Sequence, residues 1–397
     1  MRSRPLAKVA VLGVVGALAL TACGSSNKSG NGGLNDGSGN NNSTSYTIAF
    51  EGPLSGDNQQ LGINEYNGVQ LAVEQANADS SLGFKVKLIK SDDQGDPAKA
   101  PAAAAQIVQD DTVMGVIGPS FSGATKAVAA KFGAAGISIV NPSASAGDIQ
   151  TLGFKTWHRI FPNDNAEGPA GADWIAKHAK KVFVINDLSA YGAGVSSSVS
   201  KQLKKDGVTV VTQGVDAKTT DYGPISQQVV NSGAQAVWYG GYDAQAALFA
   251  KALDAAGYKG IRISGNGVKS SVFTSGAGKA GYGWYFTCGC QDATVAPSAK
   301  DFASAYQTKF NTPPSTYSPE AYDATNILIQ AIKTAKAAGS VTRAAVNDAV
   351  NKTDYTGITG QISFGADGDL PAGKGTVNLF IDQNGDIKSL GDITQAK

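Results

Sequence analysis

The sequence predicts an α/β protein whose folded part contains two domains. Short β-rich runs alternate with helical segments along most of the chain, which is typical of parallel sheets covered by helices on both faces. The part beyond residue 45 comprises about 350 of the 397 residues, too many for one hydrophobic core. The pattern leaves open whether the domains follow one another or whether the chain crosses between them more than once.

The first alternating series begins the folded part. Asp96-Pro97 marks the start of a helix, because proline is favoured in the first turn. Strands are predicted at Tyr46–Phe50, Phe84–Lys90, Val113–Ile117 and Ile137–Asn141, and helices at Asn64–Ala78, Pro97–Gln109 and Gly123–Ala135.

A second alternating series starts near residue 163. Its predicted strands are Val182–Asn186, Val208–Gln213, Ala236–Tyr239 and Ile261–Ser264, and its predicted helices are Gly168–His178, Gly192–Lys205, Pro224–Asn231 and Ala244–Ala256. Three further helices are expected at Ser298–Phe310, Pro319–Ala338 and Thr342–Asn351. Thr376–Ile381 and Asp386–Leu390 are expected to form a hairpin, because Asn384-Gly385 tolerates the positive φ of a type I′ turn.

Residues 1–22 indicate a secretion signal. A basic start with Arg2, Arg4 and Lys8 precedes the apolar run Val9–Leu20. The run is shorter than the roughly 20 residues that a membrane span needs, and small residues suited to processing follow it. Leu20-Thr21-Ala22-Cys23 resembles a bacterial lipoprotein box, which implies that Cys23 is lipidated; ordinary cleavage is the alternative.

Residues 23–45 are predicted to be the lipidated cysteine and a disordered tether. The segment from Gly24 to Ser45 is rich in Gly, Ser and Asn, so it cannot bury enough apolar surface to offset the entropy of ordering. A flexible chain of this length spans roughly 25 Å. Acyl chains on Cys23 would hold the folded part at the outer face of the cell membrane.

Charge and cysteine content narrow the function classes. Loss of the three positive charges in the signal brings the +1 of the whole chain to about −2, and without a basic cluster we expect no nucleic-acid partner. Cys288 and Cys290 are interpreted as two thiols or one strained disulfide. A redox or metal pair is the alternative, although a metal site would need more ligands nearby.

Two motifs that could indicate an enzyme fail in their context. Gly276–Gly281 matches G-x-G-x-x-G, but Tyr282–Phe286 follows it and looks like a strand where a dinucleotide site needs a helix. Gly118–Ser122 has a serine where a nucleophile elbow has its second glycine. The sequence therefore predicts no enzyme, no cofactor and no metal site.

Several short segments occur together in an order typical of one family. They are Pro53-Leu54-Ser55-Gly56, Asp92-Asp93 with Asp96-Pro97, Val116-Ile117-Gly118-Pro119, Asn141-Pro142-Ser143-Ala144-Ser145, Asn186-Asp187 with Tyr191-Gly192, Tyr239-Gly240-Gly241-Tyr242, and Tyr317-Ser318-Pro319-Glu320-Ala321-Tyr322-Asp323-Ala324. Through them the chain resembles the branched-chain amino-acid-type (Leu/Ile/Val-binding) solute-binding proteins of ABC importers over nearly all of residues 46–397.

The resemblance implies a type I periplasmic-binding-protein fold, with two Rossmann-like lobes whose parallel sheets are joined by a hinge of three crossings. Lobe one is expected at residues 46–162 and 288–372, and lobe two at residues 163–287 and 373–397. The ligand would lie between the lobes at the carboxyl ends of the strands, in agreement with the general rule for open α/β sheets.

In lobe one, the resemblance implies that Ser122, Ser143 and Ser145 hold a ligand carboxylate together with backbone N–H groups. Independently, Ser122-Gly123 opens a predicted helix whose free N–H groups and positive end favour an anion. Gly123 would permit close approach of the ligand. A plain N-cap at Ser122 and a turn at the other two serines are the alternatives.

In lobe two, the resemblance implies that Tyr191 and Tyr242 cover the ligand with their rings and hydroxyls; core packing is the alternative. Amino-acid binders of the family place a glutamate where this chain has Asn266. A neutral amide cannot neutralise a buried ammonium. We therefore expect either that Asp243 pairs with the ammonium or that the ligand is not a free α-amino acid.

Two lobe-one positions remain. Leu61 stands where the family has an aromatic residue that stacks on the ligand. Glu320 is a further candidate for binding, with an ordinary surface helix position as the alternative.

These patterns predict an extracytoplasmic solute-binding lipoprotein. It would capture a small polar solute (a branched-chain amino acid or a related amino acid, amide or carboxylate) by hinge closure. The expected partners are this ligand, the permease subunits of an ABC importer and the membrane through the lipid anchor. The alternative is a receptor of the same fold that signals ligand occupancy to a membrane partner.

Overall fold

A computed structural model describes residues 44–396 of the chain. The predicted signal, Cys23 and nearly all of the predicted tether lie outside the described residues. Within residues 44–396, none of the helices combines the length and the apolar composition that a membrane crossing requires.

The first part of the chain forms five strands and three helices. The strands are β1 Ser45–Gly52, β2 Lys85–Asp92, β3 Val113–Ile117, β4 Ser138–Asn141 and β5 Trp157–Arg159, and the helices are α1 Gln59–Ala78, α2 Ala100–Gln109 and α3 Ser122–Ala134. The five strands are parallel and lie in the order β2-β1-β3-β4-β5. Every residue of β3 and β4 is buried, because helices cover both faces of a parallel sheet.

The next part alternates helices with a second set of strands. The helices are α4 Asp164–His178, α5 Ala190–Lys205, α6 Gly223–Ser232, α7 Asp243–Ala255 and α8 Ser271–Ala277, and the strands are β6 Lys181–Asn186, β7 Thr209–Gly214, β8 Ala236–Gly240, β9 Ile261–Ser264 and β10 Tyr285–Cys288. The start of α4 is fixed by Asn163, whose side chain accepts a hydrogen bond from the backbone N–H of Asn165 and so caps the first turn.

The last part contains three helices and four strands, α9 Lys300–Phe310, α10 Ser318–Ala337, α11 Arg343–Val350, β11 Asp354–Gly357, β12 Gly360–Ser363, β13 Asn378–Gln383 and β14 Asp386–Asp392. Helix α10 packs against α1 and β3, so this part returns to the first sheet. β13 then pairs antiparallel with β10, and β14 pairs antiparallel with β13.

Two sheets therefore form the centres of two lobes. The first lobe surrounds the five-stranded sheet, and the second surrounds a seven-stranded sheet in the order β14-β13-β10-β9-β8-β6-β7. The chain passes between the lobes three times, after β5, after β10 and after β12. The predicted α/β class with two lobes of mainly parallel sheet is confirmed, and the chain crosses repeatedly instead of forming two consecutive domains.

The C-terminal hairpin is also confirmed. Asn384 and Gly385 have φ values of +62° and +97°, which are the positive values that a type I′ turn requires. The sequence-based prediction missed β5, α8 and the hairpin β11–β12. These elements are three to seven residues long, too short to display a clear hydrophobic period.

Cys288 and Cys290 are joined by a disulfide at the second crossing, where β10 ends. The sequence left open whether these cysteines are two thiols, a disulfide or a redox or metal pair, and the structure contains the disulfide. Both residues are buried.

Candidate ligand site between the lobes

A small cavity lies where the carboxyl ends of strands from both lobes meet. Its walls are formed by Leu61, Ser120, Phe121, Ser122, Ser143, Ser145, Tyr191, Tyr242, Asn266, Gly267 and Tyr317. Most of these residues follow the ends of β3, β4, β6, β8 or β9. The cavity volume is about 10 Å³, close to the minimum that one water molecule needs. An amino acid could reach these walls only if the lobes moved apart.

The structure brings six of the eight predicted ligand-binding residues to this cavity. They are Ser122, Ser143, Ser145, Tyr191, Tyr242 and Asn266. The other two, Gly123 and Asp243, lie near the contact between the lobes but do not line the cavity.

The first-lobe wall consists of hydroxyl groups and a helix end. Ser122 is the first residue of α3 and Phe121 is its N-cap, so Ser122 is not the capping residue. The Ser122 hydroxyl accepts a hydrogen bond from the N–H of Ala146 at 3.1 Å, and the Ser143 hydroxyl donates to the carbonyl of Ser120 at 2.8 Å. The Ser145 hydroxyl forms no well-aligned hydrogen bond among the described residues, but it lies close enough to the Asp164 carboxyl to lower the pKa of that group. The N–H groups of the first turn of α3 have no intrahelical acceptor.

The second-lobe wall is aromatic. The ring of Tyr242 stacks on Phe121 of the first lobe, with 4.2 Å between ring centroids, and also contacts Tyr191. The Tyr191 hydroxyl accepts a hydrogen bond from the N–H of Gly267 at 3.1 Å. Burial of the hydroxyls raises the pKa of Tyr191 and Tyr242 well above the usual value. Both therefore stay neutral and able to donate.

Each polar side-chain atom of Asn266 already has a hydrogen-bond partner within the protein. Its N–H donates to the carboxylate of Glu167 at 3.0 Å, and its Nδ2 donates to the same carboxylate. Its Oδ1 accepts from the hydroxyl of Tyr317, a first-lobe residue, at 2.6 Å. Asn266 thus connects the two lobes and orients Glu167.

Asp243 makes contacts within the protein, whereas the sequence suggested that it pairs with the ammonium of a ligand. Its carboxylate accepts from Asn58 Nδ2 at 2.6 Å, from the Ser270 hydroxyl at 2.5 Å and from the N–H of Ala244 at 2.9 Å. The bond to Asn58 joins the lobes, since Asn58 precedes α1 and Asp243 begins α7. With these partners Asp243 faces away from the cavity, which argues against it as the ammonium partner.

Gly123 lies beside the same contact between the lobes. A Cβ built at this position would come within 3.8 Å of Ala190 in the second lobe. Gly123 therefore affects how closely α3 approaches α5, and it is not part of the cavity wall.

Two acids at the start of α4, missed by the sequence analysis, are buried beside the cavity. Asp164 is 1 % exposed, and neither carboxylate oxygen forms a well-aligned hydrogen bond among the described residues. Its backbone N–H donates to the carbonyl of Ser145 at 2.8 Å, which places it next to the cavity wall. Burial and the charge of Glu167 raise the pKa of Asp164 to about 8. The Ser145 hydroxyl and the charge of Arg159 oppose this rise in pKa only in part, and no cation forms an ion pair with Asp164 among the described residues.

Glu167 lies one turn further along α4. Besides the bonds from Asn266, its Oε1 accepts from the Thr287 hydroxyl at 2.8 Å. Burial raises the pKa of Glu167 to about 7. Asp164 and Glu167 together make this side of the site the one that favours a cation.

The sequence contained a signal for these two acids. The sequence pattern predicts a helix from Gly168, which leaves Asp164 and Glu167 in the connection before it. Asn163 is a favourable N-cap, and acids in the first turn after such a cap are favoured by the helix dipole. An earlier helix start would have placed both acids at a strand-to-helix junction, where α/β proteins bind ligands.

The two remaining first-lobe positions differ in their surroundings. Leu61 is fully buried and lines the cavity. Glu320 is also buried instead of exposed, and its Oε1 accepts from the N–H of Gln291 at 2.7 Å. Glu320 does not line the cavity.

Two α/β lobes joined by three crossings, with polar groups converging between them, define a binding protein of the type I periplasmic-binding-protein fold. The family model described as Periplasmic binding protein matches residues 45–377, and the chain belongs to this family. Its members are extracytoplasmic binding proteins and not enzymes.

Curated relatives match most of the chain. Leu/Ile/Val-binding protein homolog 3 of Brucella melitensis biotype 1 is 30% identical over 330 residues, which cover 82% of this chain and 88% of that protein. The leucine-, isoleucine-, valine-, threonine-, and alanine-binding protein of Pseudomonas aeruginosa is 28% identical over 327 residues, covering 81% and 86% of the two chains.

Solved structures share the fold. A leucine-binding protein of Thermotoga maritima MSB8 has a TM-score of 0.80 at 25% identity, covering 87% of this chain and 97% of that one. A solute-binding protein of R. palustris in complex with benzoate has a TM-score of 0.79 at 20% identity, covering 88% and 96%. The second likeness concerns the fold alone.

Proposed function

We propose that this protein is the solute-binding component of an ABC importer and that its ligand is a branched-chain α-amino acid. One observation carries the proposal: the first lobe presents the Ser145 hydroxyl and the N–H groups at the start of α3 to the cavity, and a buried carboxyl without an ion-pair partner among the described residues, that of Asp164, lies beside it in the second lobe. A zwitterion satisfies both sides. The relatives support this ligand class, since one is named for binding Leu, Ile and Val and the other for binding these three together with threonine and alanine.

The α-carboxylate would bind to the first lobe. The Ser145 hydroxyl would turn from its position near Asp164 to donate to the ligand, Ser122 stands at the same wall, and the first turn of α3 adds N–H groups and the positive end of the helix. Hydrogen bonds to a charged group contribute about 1.5–3 kcal/mol each. Ser143 would act mainly through position, since its hydroxyl proton is used on Ser120.

The ammonium would bind near Asp164, with Glu167 as the second negative group. Asn266 cannot neutralise it, but Asn266 holds Glu167 in place with two hydrogen bonds. The ammonium would lower the pKa of both acids, because an adjacent opposite charge favours the ionised carboxylate. The loss of the family's glutamate at position 266 is thereby offset from α4.

The aliphatic side chain would lie among Leu61, Phe121, Tyr242 and Tyr317. These residues are buried or half-buried and belong to both lobes. Leu61 offers a flexible aliphatic surface where the family's binders have an aromatic one. Such a wall suits a branched aliphatic group better than a charged or strongly polar one.

Binding would require the lobes to open and then close. The closed arrangement is held by the bonds Asn58–Asp243 and Tyr317–Asn266 and by the stack of Phe121 on Tyr242. A ligand shifts the equilibrium only by its higher affinity for the closed form. An amino acid that contacts both walls has this preference, because each half of the site lies on a different lobe.

The proposed attachment follows from the amino-terminal sequence. Residues 1–22 would be removed as a signal, Cys23 would carry the lipid, and residues 23–45 would tether the two lobes (46–162 with 288–372, and 163–287 with 373–397) to the outer face of the membrane. Permease subunits would receive the solute from the closed protein.

Uptake in a deletion strain tests the proposal. Loss of labelled leucine uptake, restored by the wild-type protein, is the expected result. The anchor is tested by restoring with Cys23→Ala, which we expect to release the protein from the cells and lower uptake. Normal uptake in the deletion strain, with lost induction of genes by leucine, would instead identify a receptor.

A further inference from the structure

A second and larger cavity lies between the lobes, next to the first. Its volume is about 240 Å³. Gln60 and Thr316 line it, and these residues are the chain neighbours of Leu61 and Tyr317 in the wall of the smaller cavity. The two cavities therefore border the same short segments of the first lobe.

A buried cation lines this second cavity. Lys269, which follows β9 in the second lobe, is 6 % exposed. Its ammonium donates to the Thr316 hydroxyl at 3.1 Å and lies 4.2 Å from the ring centre of Phe380. Among the described residues no carboxylate comes within 4.0 Å of it. An ammonium has three donors, so one hydroxyl and one ring leave it under-satisfied.

The first lobe presents an unused donor to the same cavity. Asn64 on α1 is 4 % exposed and also lines the cavity. Its Oδ1 accepts from Gln60 Nε2 at 2.8 Å, whereas its Nδ2 donates to none of the described residues. A buried donor without an acceptor costs about 1–3 kcal/mol. Both lobes thus carry a donor that would be satisfied by an acceptor placed between them.

We propose that this cavity is an anion site in which Lys269 and Asn64 hold a small monocarboxylate between the two lobes. A negatively charged acceptor satisfies the buried ammonium and the amide at once. The site is separate from the proposed amino-acid site, because none of its lining residues belongs to that cavity.

The acids that line the same cavity restrict the charge of the ligand that can bind there. Asp292 and Asp386 also line it, but both reach solvent. Asp292 is engaged by the N–H and hydroxyl of Thr294, and Asp386 pairs with Lys388. Their charge would disfavour a dianion and leaves a monoanion as the better match. Burial lowers the pKa of Lys269, and the charges of Asp292 and Glu320 oppose this shift only in part; a bound anion would raise that pKa again.

An anion held by both lobes would also favour closure. If the proposed function is correct, the anion and the amino acid would then strengthen each other's binding by the same factor. A factor of about five or more is expected, since allosteric couplings typically lie between 5- and 150-fold.

Calorimetric titration of the purified protein with sodium acetate at fixed ionic strength tests the site. Acetamide, a neutral molecule of similar shape, is the control ligand. We expect saturable binding of acetate to one site and none of acetamide. Lys269→Met should weaken acetate binding at least tenfold, whereas Lys279→Met, at an exposed position in the same lobe, should not. Absent acetate binding, or equal binding in the two variants, would overturn the proposal.

Asn64→Ala gives a second test that does not alter the buried charge. It should weaken acetate binding about fivefold or more and remove the effect of acetate on leucine affinity, because the lobe-one donor is gone. If acetate affinity and its effect on leucine both persisted in this variant, the bridge between the lobes would be refuted. Leucine binding by a protein that ignores acetate would contradict this inference alone and not the proposed function.

The carboxylate could be a free anion or the distal carboxylate of a longer solute. Titration with glutamate separates these sources. Glutamate that displaces both acetate and leucine would identify a distal carboxylate at Lys269. Acetate that tightens leucine binding, with glutamate displacing only one of them, would identify a free anion. If Lys269→Met changed neither the affinity for acetate nor the affinity for glutamate, both sources of the carboxylate would be refuted.

Discussion

The two walls of the ligand cavity differ in chemical character. The first-lobe wall presents serine hydroxyls and the start of α3, with the buried carboxyl of Glu65 behind Ser120. The second-lobe side carries two buried acids on α4, of which Asp164 has no ion-pair partner among the described residues. Under the proposed function, this difference would let the site distinguish the two ends of its ligand, with the carboxylate at one lobe and the ammonium at the other.

Removal of Asp164 should have the largest effect. Asp164→Ala leaves the ligand ammonium without its nearest proposed partner, and breaking a buried pair in this way costs about 3 kcal/mol or more, which is about 100-fold in affinity. Calorimetry with leucine measures the change. Asp148→Asn alters an acid that is exposed and paired with Lys126, so it should leave affinity unchanged. Equal affinity of Asp164→Ala and wild type would remove the acid from the site.

The first-lobe wall can be tested by comparing two serines. Ser145→Ala removes a hydroxyl that would donate to the carboxylate, and about a tenfold loss of leucine affinity is expected. Ser143→Ala should have a smaller effect, since that hydroxyl already donates to Ser120. Melting temperatures check that both variants fold. A larger loss for Ser143→Ala would mean that the carboxylate lies elsewhere on this wall.

The contact between the walls can be weakened without touching the cavity. Asn58→Ala removes the bond to Asp243, which contributes about 0.5–1.5 kcal/mol, so leucine affinity should fall a few-fold. Small-angle scattering should show a larger radius for the ligand-free variant than for wild type. Gln59→Ala, at an exposed neighbouring position, is the control. An unchanged radius and affinity would show that this bond does not hold the lobes together.

The acids also predict a dependence of stability on pH. Their folded-state pKa values of about 8 for Asp164 and about 7 for Glu167 lie above the usual carboxyl values. The folded state therefore binds more protons than the unfolded state between pH 5 and 8, and ligand-free stability should fall as pH rises through that window. Bound leucine should make stability depend less steeply on pH, because its ammonium would lower the pKa values of both acids.

Thermal unfolding at several pH values, with and without leucine, measures this effect. Asp164→Asn should be less sensitive to pH than wild type in the absence of ligand. Other buried acids such as Glu51 and Glu65 contribute to the slope in both proteins, so the comparison between the two is the informative quantity. A slope that leucine leaves unchanged would contradict the proposed ammonium position.

Residues of the site that lie directly after strands could be predicted from the sequence, whereas roles that depend on contacts between distant segments could not. The serines and tyrosines stand directly after strands, where local pattern and chain order locate them. The role of Asn266 depends on Glu167, 99 residues away in the chain. Asp243 looked like the ammonium partner because it follows Tyr242, but its carboxylate contacts Ser270, 27 residues further along the chain, and Asn58, which reaches it only when the lobes come together. Contacts between distant segments carry no local pattern.

The most direct test of the account compares leucine with two analogues that each lack one charge. Calorimetry should show tight binding of leucine and at least 100-fold weaker binding of both 4-methylpentanoate, which lacks the ammonium, and 3-methylbutylamine, which lacks the carboxylate. Binding of 4-methylpentanoate as tightly as leucine would contradict the proposed pairing with Asp164. It would indicate instead that the site binds a carboxylate without needing an ammonium.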